Sequence, residues 1–231
     1  QTEGNPAGST SFYQDVTKTH LPYQDLQLLS MDAGIADLDQ DGDMDILIAN
    51  EHRPNILLIN DGKGRFTNES ALRIPQVDHD SEDIGIADFD GDGDLDILYG
   101  NVQAFVDNAL RQNRLLLNDG KGFFTDITAS HLPKDDNRCF GVAFLDIDRD
   151  GDPDIMTGNT NGARFGGNTP YSVYLNNGEG KFMEATDKII PEGISGRGFD
   201  IDFVDLNGDG INDLFLSNRG SQDFLLFGIK N

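Results

Sequence analysis

The sequence of 231 residues contains only one cysteine, Cys139, so no disulfide bond can form within the chain. Basic residues are also scarce, since 17 Lys and Arg stand against 41 Asp and Glu and give a net charge of −24. Nucleic acids are therefore not expected partners, because phosphate binding requires a basic surface. No apolar run approaches the roughly 20 residues that cross a bilayer, so no membrane insertion is expected either.

The composition nevertheless indicates a folded chain. Hydrophobic residues make up 37% of the sequence, and 15 of them are phenylalanines, which is too apolar for a chain kept disordered by its charge. Residues 1–11 are polar and are expected to form a flexible tail, whereas residues 12–231 are expected to form one domain.

An Asp-rich segment occurs four times along the chain. The copies are DLDQDGDMD at 37–45, DFDGDGDLD at 88–96, DIDRDGDPD at 146–154 and DLNGDGIND at 205–213. An apolar run precedes and follows each copy, and in the first three units another apolar run leads into an Asn-Asp-Gly or Asn-Asn-Gly turn, which is typical of hairpins. Each unit therefore predicts four short strands, A to D, and the whole predicts an all-β fold, a β-propeller of four four-stranded antiparallel blades.

The ends of the chain indicate how such a ring would close. The fourth unit ends after strand C, near Asp223–Phe227, whereas the segment Phe12–Thr17 resembles a lone strand D. Pairing of these two segments would leave no open blade edge, and open edges favour aggregation. We therefore expect a closed monomeric ring of four blades. A half-ring that assembles into a larger propeller is the alternative.

The repeated Asp segments have the pattern of a calcium loop. Calcium takes six to eight oxygen ligands, and a curled loop can supply side chains from positions 1, 3, 5 and 9, a backbone carbonyl from position 7 and a glycine at position 6 for the turn. The pattern therefore predicts four Ca²⁺ sites. Their residues are Asp37, Asp39, Asp41, Asp43 and Asp45; Asp88, Asp90, Asp92, Asp94 and Asp96; Asp146, Asp148, Asp150, Asp152 and Asp154; and Asp205, Asn207, Asp209, Ile211 and Asp213.

The segments FGVAFLDIDRDGDPDI at 140–155 and DGDMDILIAN followed by PNILLINDGKGRF within 41–66 resemble the FG-GAP and VCBS repeat family. This family includes the calcium-binding propeller blades of integrin alpha subunits and of many secreted proteins, and its members often have seven blades. The resemblance implies an extracellular setting, where calcium is abundant and can stabilise a fold that lacks disulfides.

The loops between strands B and C differ in length from unit to unit, unlike the Asp loops. Variable loops on a rigid scaffold are where binding sites tend to lie. In a blade of four strands, these loops share one surface with the D–A connections. That surface would collect basic and aromatic residues suited to an anionic or sugar ligand, namely Arg53, Arg111, Arg138, Arg164, Phe165, Arg197 and Arg219, with Phe105 and Tyr171 beside them.

Three functions are compatible with these features. The first is a calcium-stabilised extracellular binding or adhesion module for a glycan or a protein. The second is a secreted polysaccharide lyase or hydrolase, although the sequence has no nucleophile motif and no histidine cluster for catalytic zinc. The third is the half-ring described above. The sequence does not identify a catalytic residue, so a non-enzymatic binding role is expected.

Overall fold

The computed structural model of the chain describes residues 11–22, 26, 28–102, 112–134, 137–160 and 170–230. Four units follow one another, and we call them blades 1 to 4. Blade 1 is preceded by α1 (Thr17–His20) and contains β1 (Leu29–Ala36), β2 (Asp45–Arg53), β3 (Ile56–Asn60) and β4 (Phe66–Asn68), followed by α2 (Ser70–Arg73). Blade 2 contains β5 (His79–Ala87), β6 (Asp96–Asn101), β7 (Arg114–Asn118) and β8 (Phe124–Asp126), followed by α3 (Thr128–His131).

The remaining two blades repeat this order. Blade 3 contains β9 (Cys139–Leu145), β10 (Asp154–Asn159), β11 (Tyr171–Asn176) and β12 (Phe182–Glu184), followed by α4 (Thr186–Ile189). Blade 4 contains β13 (Gly198–Val204), β14 (Asp213–Asn218) and β15 (Phe224–Leu226). All strand pairs within the blades are antiparallel, so the predicted all-β fold and its repeated units are confirmed.

Each blade has apolar side chains on both faces, and the core lies between blades rather than within them. Leu47 and Leu57 of blade 1 pack with Ile97 and Leu116 of blade 2 in the first layer. A second layer joins blades 2 and 3, and a third joins blades 3 and 4. A single sheet cannot bury its own side chains, so the blades are stable only as a stack.

Glycines in the first strand of a blade allow the next blade to come close. A Cβ atom on Gly34 would lie 2.7 Å from Cδ1 of Ile86 in blade 2, and one on Gly85 would overlap the ring of Phe144 in blade 3. Consecutive first strands therefore pack against one another, β1 on β5, β5 on β9 and β9 on β13.

Hydrogen bonds recur between the first strands of consecutive blades. The Asp32 carboxylate of blade 1 accepts the N–H of Ile84 at 3.1 Å. In the same way, Asp83 of blade 2 accepts the N–H of Val142 at 2.7 Å. Because these bonds satisfy edge N–H groups of the first strand, they fix the register between neighbouring blades.

The predicted closure by the N-terminal strand is not what the structure shows. The described residues before Thr17 form no strand, Phe12 and Tyr13 are almost fully exposed, and β15 has only β14 as a partner among the described strands. The physical reason is that α1 is held at blade 1, where Arg65 Nη1 donates to Thr19 O at 2.6 Å. Within the described residues, β1 and β13 form no contact comparable to those between consecutive blades, so the two ends of the stack do not meet.

Candidate functional site

The four Asp loops connect the first two strands of each blade and share one surface with the turns that follow the third strand. In the first three blades, the position-7 carboxylate lies against the glycine of that turn. A Cβ atom on Gly62 would lie 2.6 Å from Asp43 Oδ2, and one on Gly178 would lie 2.6 Å from Asp152 Oδ2. The position-7 side chain therefore faces the turn in these three blades, and the backbone carbonyl of this position stays a predicted ligand.

The second loop shows how the aspartates curl the backbone. Asp88 accepts the N–H groups of Gly91 at 2.9 Å and Gly93 at 3.0 Å, and Asp92 accepts the N–H of Asp94 at 2.9 Å. Gly93 has a φ of 95°, a conformation that favours glycine. These bonds turn the side chains of alternate positions towards one centre.

Three loops bring carboxylate oxygens together. In each of them, oxygens from three residues lie within 4.8 Å of one another. The triads are Asp37, Asp39 and Asp41 in the first loop, Asp88, Asp90 and Asp96 in the second, and Asp146, Asp148 and Asp154 in the third. In the described fourth loop no carboxylate triad this close is present, because position 3 carries the amide of Asn207.

The clustered charges affect the ionisation of these groups. Partial burial raises the pKa of Asp90, and the nearby Asp92 raises it further. The pKa of Asp148 is raised in the same way, by burial and then by Asp150. In the fourth loop, backbone N–H groups instead lower the pKa of Asp205, the largest contribution coming from Gly210. A bound cation would offset the repulsion between the carboxylates and the cost of burying their charge in the first three loops.

The position-9 aspartates have a second role that the sequence did not reveal. Asp96 is fully buried, and its two oxygens accept the N–H groups of Phe89 at 3.1 Å and Asn118 at 2.8 Å. The equivalent bonds recur at Asp45, Asp154 and Asp213. The carboxylates of blades 1 to 3 therefore join their loops to the third strand, and Asp213 joins its loop to Gly228, just after the third strand of blade 4. Burial raises the pKa of Asp96 to about 7, and the two hydrogen bonds oppose this shift.

The third-strand asparagines link each loop to the loop of the preceding blade. Asn118 Nδ2 donates to Leu38 O of blade 1 at 2.8 Å and to Leu95 O of its own blade at 3.0 Å. Asn176 likewise donates to Phe89 O of blade 2 at 2.8 Å. Leu38 and Phe89 lie at position 2 of their loops, directly between predicted metal ligands.

The donor set fits calcium. Each loop offers hard oxygen ligands in a curled backbone with a glycine at position 6, and calcium accepts six to eight such ligands in flexible geometry. If a cation binds, side-chain oxygens at positions 1, 3 and 5 and the carbonyl at position 7 would hold it, with the buried position-9 oxygens completing the set; all of these side chains are carboxylates except the amide of Asn207. The ion would supply a positive charge that ties the first and second strands of each blade together.

The opposite surface carries the loops predicted to bind a ligand. Arg53, Arg197 and Arg219 are exposed there, and Arg138 is half-buried. Arg219 N donates to Arg197 O at 2.9 Å, so these two arginines are neighbours. Tyr171 is buried instead, and its hydroxyl donates to Ser217 O at 2.6 Å, which gives it a structural role between blades 3 and 4. Arg111, Arg164, Phe105 and Phe165 lie outside the described residues.

The same surface contains an acidic cluster that sequence reasoning missed. Oxygens of Glu51, Asp80 and Glu82 lie within 4.8 Å of one another. The end of β2 pairs with the start of β5, with Glu51 opposite Asp80, and this register brings residues of two blades together. Burial raises the pKa of Glu82 to about 7, and Glu51 and Asp80 raise it further, whereas Arg219 lowers it. The surface is therefore mixed in charge rather than basic.

The raised pKa of Glu82 predicts a pH-dependent effect of the substitution Glu82→Gln. Above about pH 7 the folded protein holds a half-buried negative charge, whereas towards pH 5 the folded state takes up a proton that the unfolded state does not. Glu82→Gln should therefore stabilise the protein at pH 8 by about 1–2 kcal/mol, a value reduced for solvent screening, and change little at pH 5. Urea unfolding at both pH values, with calcium present, would measure this.

The control for this substitution is Glu179→Gln, at an exposed glutamate of a turn. It should leave stability unchanged at both pH values. Equal effects of Glu82→Gln on stability at pH 5 and pH 8 would contradict the raised pKa of Glu82.

None of the helices in the described ranges has the length and apolar character needed to cross a membrane.

The profile of the FG-GAP-like repeat matches this chain at residues 37–99, 104–157 and 163–216, which together make up more than half of it. The first match begins at the first Asp loop, and the second and third begin in the sequence just before β7 and β11. The second and third matches are therefore spaced by one repeat.

Curated relatives include cartilage acidic protein 1. The protein of Xenopus tropicalis is 29% identical over 194 residues, covering 81% of this chain and 29% of the relative. The protein of Homo sapiens is 30% identical over 184 residues, covering 77% of this chain and 26% of the relative. This chain therefore spans less than a third of the length of these relatives.

Two solved structures are also similar. The V. cholerae biofilm matrix protein Bap1 aligns with a TM-score of 0.45 and 18% identity, over 82% of this chain and 24% of that chain. The Photorhabdus luminescens Tc holotoxin pore aligns with a TM-score of 0.48 and 19% identity, over 89% of this chain and 9% of that chain.

Proposed function

Because the chain belongs to the FG-GAP-like repeat family, we propose that it is a calcium-stabilised extracellular module that binds a glycan or a protein. The observation that carries the calcium part is the recurrence of a carboxylate triad within 4.8 Å at equivalent loops of three blades. A chance acidic cluster would not recur in the same loop of three of the four repeats.

The proposed calcium sites also support an extracellular setting. Loops of this kind need calcium at a concentration well above their dissociation constants, and sensor and extracellular sites range from about 10⁻⁷ to 10⁻³ M. Secreted proteins meet calcium at the upper end of that range. The net charge of −24 agrees with a role in binding several calcium ions.

The proposal predicts four bound calcium ions per chain. Elemental analysis after dialysis against calcium buffer should give a value close to four, and Asp150→Ala should reduce it by one because position 5 supplies a ligand. The fourth loop, with neutral Asn207, should be the weakest site, so its ion should be lost first as calcium is lowered. A value of zero or one would contradict the proposal.

The binding part of the proposal rests on the surface opposite the Asp loops. Its B–C connections differ between blades, and it presents exposed guanidinium groups beside the acidic cluster of Glu51, Asp80 and Glu82. Such a mixed surface suits a ligand with several polar groups, such as a glycan. Its hydroxyl groups can donate hydrogen bonds to carboxylates and accept them from guanidinium groups.

A glycan-array screen with the calcium-loaded protein would test this part. Arg197→Ala and Arg219→Ala should weaken binding of any glycan found about tenfold, because each removes a charged hydrogen-bond donor. Lys181→Ala, on the surface of the Asp loops, is the matched control and should have no effect. A ligand that requires Lys181 but neither arginine would contradict the assignment, and turnover of a polysaccharide would indicate an enzyme.

A further inference from the structure

The first Asp loop contacts a cation that belongs to the protein itself. Nη2 of Arg73, at the end of α2, lies 3.3 Å from Oδ2 of Asp39, which is position 3 of this loop. Both side chains are largely buried, 13% and 12% exposed. Among the ion pairs that the described residues form with one another, no other involves a residue of an Asp loop.

Three further contacts hold this guanidinium in place. Nε of Arg73 pairs with Glu69 Oε2 at 2.6 Å, and Nη1 donates to Lys121 O, in the turn of blade 2, at 2.5 Å. The carbon at the centre of the guanidinium lies 4.9 Å from the middle of the Phe123 ring. Because α2, blade 1 and blade 2 all bind this side chain, its charge is a fixed feature of the first loop.

The second and third loops do not have a guanidinium at this place. Arg73 is the last residue of α2, and the last residues of α3 and α4 are His131 and Ile189. Nδ1 of His131 forms a hydrogen bond of 2.7 Å with the serine beside it in the helix, and Ile189 packs into the apolar layer between blades 3 and 4. The first loop therefore differs from its two equivalents in its electrostatic surroundings.

The first loop also contains buried oxygens that lack a hydrogen-bond donor. Oδ1 of Asp37 and Oδ1 of Asp39 are buried and accept no hydrogen bond from the described residues. Oδ2 of Asp37, by contrast, accepts the N–H of Gly42 at 3.1 Å. A buried carboxylate oxygen requires a donor or a cation. Arg73 provides one positive charge at Oδ2 of Asp39, and Oδ1 of the same carboxylate remains available to a metal.

We propose that Arg73 is a counter-ion built into the first Asp loop, which makes this loop bind calcium more weakly than the second and third loops and depend less on calcium for its stability. The inference rests on the calcium sites of the proposed function. Without the metal, the guanidinium offsets the repulsion among Asp37, Asp39 and Asp41. With the metal, the guanidinium and the ion share the carboxylate of Asp39 and repel each other.

The magnitudes of two opposing effects decide the sign. An outer partner that orients a metal ligand typically contributes about 10–100-fold in affinity. A unit charge about 6 Å from a divalent ion opposes binding by roughly 10⁴-fold at an effective dielectric constant of about 20. Arg73 is largely buried, so salt and water screen this repulsion less than they would at an exposed side chain. Removal of the charge should therefore raise the affinity, although it also frees Asp39.

Calcium titration of the full chain against a competing chelator tests the proposal. Arg73→Met should raise the affinity of one site about tenfold or more, and the gain should vanish when Asp41→Ala has removed the first site. Arg73→Gln also removes the charge, but can keep a bond to Lys121 O, and should give the same gain. Arg73→Lys keeps the charge and should remain close to wild type. Arg65→Met is the matched control, because this guanidinium binds Thr19 O instead of a carboxylate.

Urea unfolding in saturating calcium gives a second readout. Arg73→Met should destabilise the protein more in the Asp41→Ala background, where Asp39 has no other counter-ion, than in the otherwise unchanged chain, where calcium takes that role. The two losses should differ by the same factor as the gain in affinity, because binding and folding are linked. A purely structural role of Arg73 would give the same loss in both backgrounds.

The possible failures are distinguishable. If wild type binds four ions and Arg73→Met leaves their affinities unchanged or lowers one, the inference is wrong and the proposed function is intact. An equal gain in Arg65→Met would be a general effect of net charge and would also overturn the inference. A wild-type chain that binds no calcium would contradict both the inference and the proposed function.

Discussion

Removal of calcium with EDTA should lower the melting temperature of this protein by tens of degrees or unfold it outright. A ligand that binds only the native state stabilises it by about 2.7 kcal/mol per site when its concentration is 100 times the dissociation constant. Four such sites give on the order of 10 kcal/mol, and the whole stability of a typical domain is about 5–15 kcal/mol. Without the ion, the triads of carboxylates within 4.8 Å would repel one another inside the fold.

Thermal melts at neutral pH with and without EDTA would measure this effect. Excess calcium should restore the original curve, whereas magnesium should restore it poorly, because magnesium prefers smaller octahedral sites and keeps its waters. Acid should act as EDTA does, since the ligand carboxylates must be ionised to hold the metal. If the melting curves with and without EDTA coincide, the blades are stable without the ion, and the proposed role of calcium is contradicted.

Asp96→Ala should be far more destabilising than Asp92→Ala, although both remove a ligand from the same loop. Asp92 is exposed, and its loss should weaken one metal site only. Asp96 is buried, and its loss also leaves the N–H groups of Phe89 and Asn118 without their acceptor. Each unpaired buried N–H costs about 1–3 kcal/mol, so the difference between the variants should be about 2–6 kcal/mol.

Urea unfolding of the two variants in saturating calcium would give this difference directly. Elemental analysis provides the control, since both variants should lose one ion, and the comparison then isolates the two hydrogen bonds. Equal stabilities would show that Asp96 acts only through the metal.

The repeat made much of this fold predictable. Four copies of one pattern, each with glycine at position 6, indicated loops between the first two strands of a blade, and the structure places them there with their turns beside them. The four-residue helices after the fourth strand were missed, because one turn is too short to show a helical period in the sequence.

The parts that sequence reasoning missed depend on contacts between blades. The cluster of Glu51, Asp80 and Glu82 forms because β2 pairs with β5, and no local pattern specifies that register. The position of Phe12–Thr17 was predicted from the missing last strand of blade 4. That prediction assumed that the two ends of the stack are adjacent, which is a property of the curvature of the whole array.

The asparagines of the third strands have a consequence for how the proposed metal sites fill. The side-chain amide of Asn118 donates to Leu38 O of the first loop, and the backbone N–H of Asn118 donates to Asp96 of the second loop. Asn176 joins the second and third loops in the same way, through Phe89 O and Asp154. An ion that orders one loop would therefore also order the asparagine that is hydrogen-bonded to the neighbouring loop. The neighbouring loop would then lose less conformational entropy when it binds its own ion. Occupancy would then spread from blade to blade as a cooperative transition, with each ion raising the affinity for the next.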